Sequence, residues 1–246
     1  MAATISLVER KKFNDTQVHA VANNIWWVGY KENGNKCLHN PYLLVDGEES
    51  VLINPGSRAE NHYKITRDKI SSIVDISTIK SIILLHHDPE RCASVSLFEG
   101  IVDRNVRIYA PSPVASSIKF YGCNHPVISL DAGDSIILKS GRTINYYKTP
   151  QLNFAGSGML HDAASGTLFT GNIFKCKTDN WDLYAQANAW DDIALCSTEC
   201  PKKAFHQTLN KIDRLLPQRI CPHRGPIIEE NIDKFLKAAR NISFSD

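Results

Sequence analysis

Ile82-Ile83-Leu84-Leu85-His86-His87-Asp88-Pro89-Glu90-Arg91-Cys92 is the stretch on which the fold turns. It opens with an unbroken apolar run, the pattern of a strand buried on both faces. An imidazole and two carboxylates follow at once at alternating positions, His86, Asp88 and Glu90. In an extended turn alternate side chains point the same way, so metal-competent groups can converge at the strand end. Nitrogen combined with hard oxygen suits iron, manganese or zinc rather than copper. Taken alone, the same residues also read as a solvated loop whose acids pair with Arg91.

Upstream, Ile25-Trp26-Trp27-Val28, Tyr42-Leu43-Leu44-Val45 and Val51-Leu52-Ile53 read as strands, with Asp46-Gly47 as a hairpin turn between the last two. Residues 65–76 carry Ile and Val at helical spacing. Downstream, 92–99 and 111–121 read as short helices around a strand at 106–109. Strands return at 127–130, 136–138, 143–147 and 167–170. Apolar residues at Phe205, Leu209, Ile212 and Leu216 predict a helix over 202–216, and a last strand, Arg219-Ile220-Cys221, leads into Pro222-His223-Arg224-Gly225-Pro226. Two mixed halves without a polar linker imply a single domain over 1–246, with two sheets face to face and helices outside.

The 246 residues are 43% hydrophobic, enough for a sizeable core. Lys and Arg number 28 against 26 Asp and Glu, so no strong field directs the chain to nucleic acid or to an anionic membrane. The apolar runs are far shorter than a membrane span, and Glu9-Arg10-Lys11-Lys12 with no apolar segment before it does not resemble a signal peptide. Seven cysteines read as free thiols in a reducing compartment, so a cytoplasmic location is expected. Cys196 and Cys200 form the one close pair. Without a second such pair they read as structural thiols rather than as a zinc site. Trp26, Trp27, Trp181 and Trp190 read as core or interface aromatics.

Five segments in consistent order resemble the metallo-β-lactamase superfamily, and within it the diiron domain of the flavodiiron proteins. They are Cys37-Leu38-His39-Asn40-Pro41-Tyr42 with Val51-Leu52-Ile53-Asn54-Pro55-Gly56; His86-His87-Asp88-Pro89-Glu90-Arg91; Thr149-Pro150-Gln151-Leu152-Asn153; Thr170-Gly171-Asn172-Ile173-Phe174; and Cys221-Pro222-His223-Arg224-Gly225-Pro226. The resemblance implies an α+β fold, the metallo-β-lactamase-like αββα sandwich. The second segment falls on the family motif His-x-Glu-x-Asp-His, framed at His86. A frame at His87 would require Pro89 and Arg91 as ligands.

Carried over position by position, the resemblance implies metal ligands at His86, Asp88, Glu90 and His223. It also exposes substitutions: Asn153 stands where the family has histidine, Asn172 where an aspartate bridges the irons, and Arg91 where the motif ends in histidine. Asn153 and Asn172 are therefore weak or lost ligand positions, and His87 and Arg91 are expected just behind the metal. A neutral amide cannot supply the charge of a bridging carboxylate, and a nearby guanidinium repels cations. Iron or another divalent metal is expected substoichiometrically or not at all. On this reading Asn172→Asp with Asn153→His restores the site, and Arg91→His adds to it.

The chain ends soon after His223 and has no phosphate loop for a flavin, so no flavin is expected in it. The resemblance then implies a stand-alone oxygen-binding diiron-type domain, an oxidoreductase with a degraded site, acting on dioxygen or nitric oxide with an external electron donor if metal is retained. A metal-free binding or scaffold module, its cleft able to hold a small anion, is the alternative from another class. A metal-dependent hydrolase is the third, disfavoured because a carboxylate, Asp88, occupies the second motif position. Flavodiiron-type domains pair, so a homodimer is expected, with Trp181, Tyr184 and Trp190 as candidate interface aromatics. The remaining histidines, His19, His62, His125, His161 and His206, read as surface or turn residues, and His39, at the mouth of the first hairpin, as a loop histidine, with a place just behind the metal as the alternative.

Overall fold

The computed structural model describes residues 13–32, 37–150, 152, 156–176, 182–186, 190, 193 and 200–244. Its strands begin with β1 (His19–Ala22), β2 (Ile25–Trp27), β3 (Tyr30–Glu32), β4 (Cys37–His39), β5 (Tyr42–Asp46) and β6 (Glu49–Ile53). Gly47, at φ +62°, makes the expected turn between β5 and β6. Helix α1 (Glu60–Ser71), β7 (Ile79–Ile83), α2 (Pro89–Cys92), α3 (Val95–Glu99), β8 (Arg107–Pro111), α4 (Ser112–Ile118) and β9 (Val127–Leu130) follow. The second half holds β10 (Ser135–Ile137), β11 (Thr143–Lys148), β12 (Gly158–Asp162), β13 (Thr167–Gly171), α5 (Lys202–Leu215), β14 (Arg219–Pro222) and α6 (Ile232–Arg240).

A seven-stranded sheet in the order β1-β2-β5-β6-β7-β8-β9 faces a five-stranded sheet in the order β10-β11-β12-β13-β14. Alternation along each strand explains the layers. From the first sheet Leu44, Val51, Ile53, Ile83 and Leu85 enter the central core with Tyr146, Leu160 and Phe169 of the second. Their neighbours Leu43, Leu52, Ile82 and Leu84 face the other way, against Ile70, Phe98 and Val114 of the outer helices. Beneath the second sheet, Phe205, Leu209 and Ile212 of α5 and Phe235 of α6 pack on Leu168 and Ile220. The architecture is the αββα sandwich.

Parallel pairing is confined to β6-β7-β8-β9 and β13-β14. The carboxyl ends of β6, β7, β13 and β14 therefore open toward Asn54, His86, Asn172 and His223. Crevices outside the carboxyl ends of parallel strands are where such sheets bind ligands.

The helix expected over 65–76 lies earlier, at Glu60–Ser71. The chain turns instead at Asp75, whose carboxylate accepts the Ser77 N–H at 2.9 Å and starts a single 3₁₀ turn. Among the described residues no helix is long and apolar enough to cross a membrane.

Lys69, near the end of α1, is buried beneath the N-terminal strands. Its Nζ donates to the carbonyls of Gly29 at 2.6 Å and Asp15 at 2.7 Å, and lies 4.0 Å from the centre of a Trp27 ring. Burial pulls its pKa down to about 7, from an ordinary value near about 10.4. Between those two values the unfolded chain binds more protons than the folded one, so stability rises with pH there. Urea midpoints measured across that window are expected to climb, and Lys69→Met to flatten the climb. An equal slope in the variant would disprove the assignment.

Candidate functional site

The site is assembled by strand ends, and its first support is an asparagine. Asn54, just past β6, adopts a left-handed conformation at φ +49° and accepts the Leu85 N–H on Oδ1 at 2.8 Å. That contact ends the β7 ladder and turns the chain so that His86 enters the crevice, where it is 4% exposed. On the opposite sheet the His223 N–H donates to the Gly171 carbonyl at 3.1 Å, and its own carbonyl accepts from Asn40 N–H at 3.0 Å. The Asn40 side chain adds donors to Pro222 and Gly225 carbonyls at 2.9 and 2.7 Å, while Tyr42 Oη donates to Pro222 at 3.0 Å. His223 is thereby fixed facing His86, with ring centres 5.8 Å apart.

Arg91 occupies the place between the expected ligands. Its guanidinium is buried, and Nη1 donates to His86 Nε2 at 3.0 Å and to the Asp88 carboxylate at 2.5 Å. Asn172 Nδ2 lies 2.6 Å from the same His86 nitrogen. Burial first, and the Arg91 charge second, pull the His86 pKa down to about 2, so the ring is neutral. Donors face both ring nitrogens, Arg91 Nη1 at Nε2 and the Asp88 backbone N–H at Nδ1, the latter at 3.0 Å. The Asp88 carboxylate lies 3.4 Å from Nδ1.

Glu90 turns outward. Its half-exposed carboxylate pairs with Arg224 Nη1 at 3.2 Å, and Arg224 Nε donates to the Cys37 thiol at 2.8 Å. Among the described residues His223 has no hydrogen-bond partner on either ring nitrogen, and burial with the Arg91 charge holds its pKa well below the ordinary value. Arg91 Nε is likewise buried and unpaired. His87 stacks on His86 with ring centres 5.0 Å apart. Asn153 lies outside the described residues.

Arg91 was expected behind a metal; the structure puts it between His86 and Asp88. The physical reason is economy of charge: one guanidinium contacts both His86 Nε2 and the Asp88 carboxylate. Iron needs the lone pairs that Arg91 already engages. Among the described residues no three His, Cys, Asp or Glu side chains gather as a metal set. The donors at this position do not fit a pair of irons.

Two contributors escaped the sequence, and a third, His39, takes the alternative place beside the site rather than that of a loop histidine. Asn40 and Asn54 stand in segments that resemble the family, yet nothing in an asparagine's neighbours announces a loop clamp or a strand stop. His39 is buried beside the crevice, where its ring stacks on Tyr30 at 4.8 Å and Nε2 meets Glu32 at 2.9 Å. Of the remaining histidines, His161 is buried in β12 and His125 is held by Glu99 at 2.6 Å rather than lying free on the surface. Trp190 packs inward on Phe235, with ring centres 6.4 Å apart, and Tyr184 packs on the central core. Both aromatics are thus used within the fold; Trp181 and Cys196 lie outside the described residues.

With fold and site in view, the comparisons are direct. Residues 37–225 match the family model described as ODP family beta lactamase, and the chain belongs to that family. An anaerobic nitric oxide reductase flavorubredoxin of Pectobacterium carotovorum is 25% identical over 172 residues, covering 63% of this chain and 33% of that protein. The chain spans about a third of the length of the curated relatives it matches. Among solved structures, the peroxy diiron species of the chemotaxis sensor ODP superposes with a TM-score of 0.77 at 22% identity, over 92% of this chain and 95% of that one. Rubredoxin oxygen:oxidoreductase of Desulfovibrio gigas gives 0.77 at 17% identity, over 91% and 61%. These are metallo-β-lactamase-fold flavodiiron cores, and this chain shares their fold.

Proposed function

We propose that this chain is a metal-free member of its family, in which the Arg91 guanidinium stands in place of the first iron and the strand-end crevice is a binding module. One observation carries the reading: Arg91 Nη1 lies 3.0 Å from His86 Nε2 and 2.5 Å from Asp88 Oδ2. A buried guanidinium retains its charge at any ordinary pH. A metal ion would have to displace it and leave it buried without partners. The test is metal analysis of untagged protein after anaerobic incubation with excess ferrous iron and gel filtration. Far less than one iron per chain is expected. Retention of a pair of irons would overturn the reading.

A second reading has its own support. His223 offers unpaired nitrogens on the crevice that Glu90 also lines, so a single divalent ion held by His223 and Glu90 is the form in which metal would be kept. The same assay decides, since one equivalent that disappears in His223→Ala supports it. One ion cannot form the peroxy diiron state named for a relative, so on this reading a diatomic would meet a single metal, with an external electron donor. The position of Asp88 gives no support to a hydrolase.

Two further elements of the proposal rest on resemblance and composition. Pairing into a homodimer is expected by light scattering, and a monomer at micromolar concentration counts against it. Six free cysteines among the described residues suit a reducing compartment, in line with a cytoplasmic location.

A further inference from the structure

The crevice outside the strand ends holds two buried polar groups that face it without partners. Arg91 Nε and both nitrogens of His223 make no hydrogen bond among the described residues, although Arg91 is 6% exposed and His223 3%. More than about 90% of buried polar atoms in folded proteins are paired, and leaving one unpaired costs about 1–3 kcal/mol. Both residues line one cleft, walled also by His39, Asn54 and Gly56, with Glu90 among its lining residues.

We infer that this cleft binds a small monovalent anion of a few heavy atoms, accepted by Arg91 Nε–H and an N–H of His223. The inference rests on the metal-free reading, because it uses Arg91 where it lies. Charge decides against a cation: Arg91 is inside the cleft wall, and Arg224 stands beside it. The acids near them are already engaged, Asp88 by Nη1 of Arg91 and Glu90 by Nη1 of Arg224. Neutral His223 contributes a donor without adding charge. The Glu90 carboxylate, though paired with Arg224, is half exposed and keeps part of its repulsion, which opposes a dianion more than a monovalent ion. A nitrite, azide or formate ion has suitable acceptors; these are probes of the class, not identified ligands.

The test uses the full chain, with iron measured on the same sample. Sodium nitrite is titrated into iron-free protein and followed by calorimetry and by the nitrogen resonances of labelled histidine, with sodium sulfate as the comparison. Saturable nitrite binding that shifts a histidine resonance is expected, with sulfate much weaker. Arg91→Lys keeps a charge but loses the Nε donor, and should weaken nitrite about tenfold or more, as expected for a hydrogen bond to a charged group. Because Arg91 also braces His86, the second variant is Glu90→Gln, whose side chain is half exposed and which should tighten nitrite and relieve the exclusion of sulfate. Iron-free protein that shows no saturable nitrite binding overturns this inference and leaves the metal-free reading standing. Iron in the sample overturns that reading first. Nitrite binding unaltered by both substitutions places the anion elsewhere and also overturns the inference.

Discussion

Combining Arg91→His, Asn172→Asp and Asn153→His in one chain is expected to produce a protein that takes up a pair of irons on anaerobic reconstitution. Restoring Arg91 alone in that variant should abolish the uptake. The order of importance comes from the geometry. Asn172→Asp and Asn153→His return a charge and an imidazole, but they leave Nη1 of Arg91 in contact with His86 Nε2 and Asp88 Oδ2. A cation entering beside it meets repulsion of roughly 4 kcal/mol per pair of unit charges at close range, for an effective dielectric of about 20. It also loses two donors that Arg91 has already claimed. The double variant at Asn172 and Asn153, sufficient on the sequence alone, is therefore expected to bind no more than traces, and Arg91 becomes the first residue to change. Iron per chain by elemental analysis and the near-ultraviolet absorption of the reconstituted protein report the outcome. Tight binding of a pair of irons by the double variant would show that the guanidinium moves aside readily and would remove the central argument for a metal-free site.

The fold was legible because its signals are redundant. The apolar run ending at Leu85 specifies a strand buried on both faces, and the turn at Asp46-Gly47 specifies the hairpin beside it; the hairpin stands as read, while the strand is present as β7 but starts at Ile79 and ends at Ile83, two residues before Leu85. β12 (Gly158–Asp162) went unread because Gly158 opens it and His161-Asp162 close it, residues that strands use sparingly. Its polarity is explained by contacts no local pattern contains: Asp162 accepts from Arg142 Nε at 2.9 Å and Nη2 at 2.6 Å, Arg142 standing just before the neighbouring strand β11. The site was legible in its positions and not in its chemistry. Spacing brings His86 and Asp88 together, the family resemblance adds Asn172 and His223, and the structure gathers Asn172 on His86 with His223 opposite. The direction of each side chain depended on competition among charges from segments far apart in sequence. Glu90 reaches Arg224, across 134 positions, rather than the crevice centre, and Arg91 fills the space that remains. A linear motif records which groups arrive at a strand end; it does not record which cation reaches each acid first.

Asn40→Ala is expected to cost about 3–5 kcal/mol, a large share of the roughly 5–15 kcal/mol that holds a typical domain together. Asn40 is 1% exposed and satisfies three buried groups through its side chain. Oδ1 accepts the Trp27 indole N–H at 2.8 Å, and Nδ2 donates to the carbonyls of Pro222 and Gly225 at 2.9 and 2.7 Å. Truncation leaves the indole and the Gly225 carbonyl without that partner, while Pro222 retains the Tyr42 hydroxyl at 3.0 Å, which keeps the estimate below the full sum for three orphaned groups. Asp at this position preserves the acceptor for Trp27 but turns two donors into a charge facing carbonyls, so Asn40→Asp should be no milder than Asn40→Ala. Trp27→Phe removes one of the three bonds and should be the mildest. Urea midpoints are expected to fall in that order at constant m-value. The effect should also reach the crevice, because the same clamp fixes the peptide of His223: at concentrations of urea where Asn40→Ala is still folded, the His223 resonances should broaden or shift while those of His19, on β1, do not. Stability within about 0.5 kcal/mol of the parent, the range of ordinary surface substitutions, would mean that the loop bearing His223 is held by backbone contacts alone and that the site does not depend on Asn40.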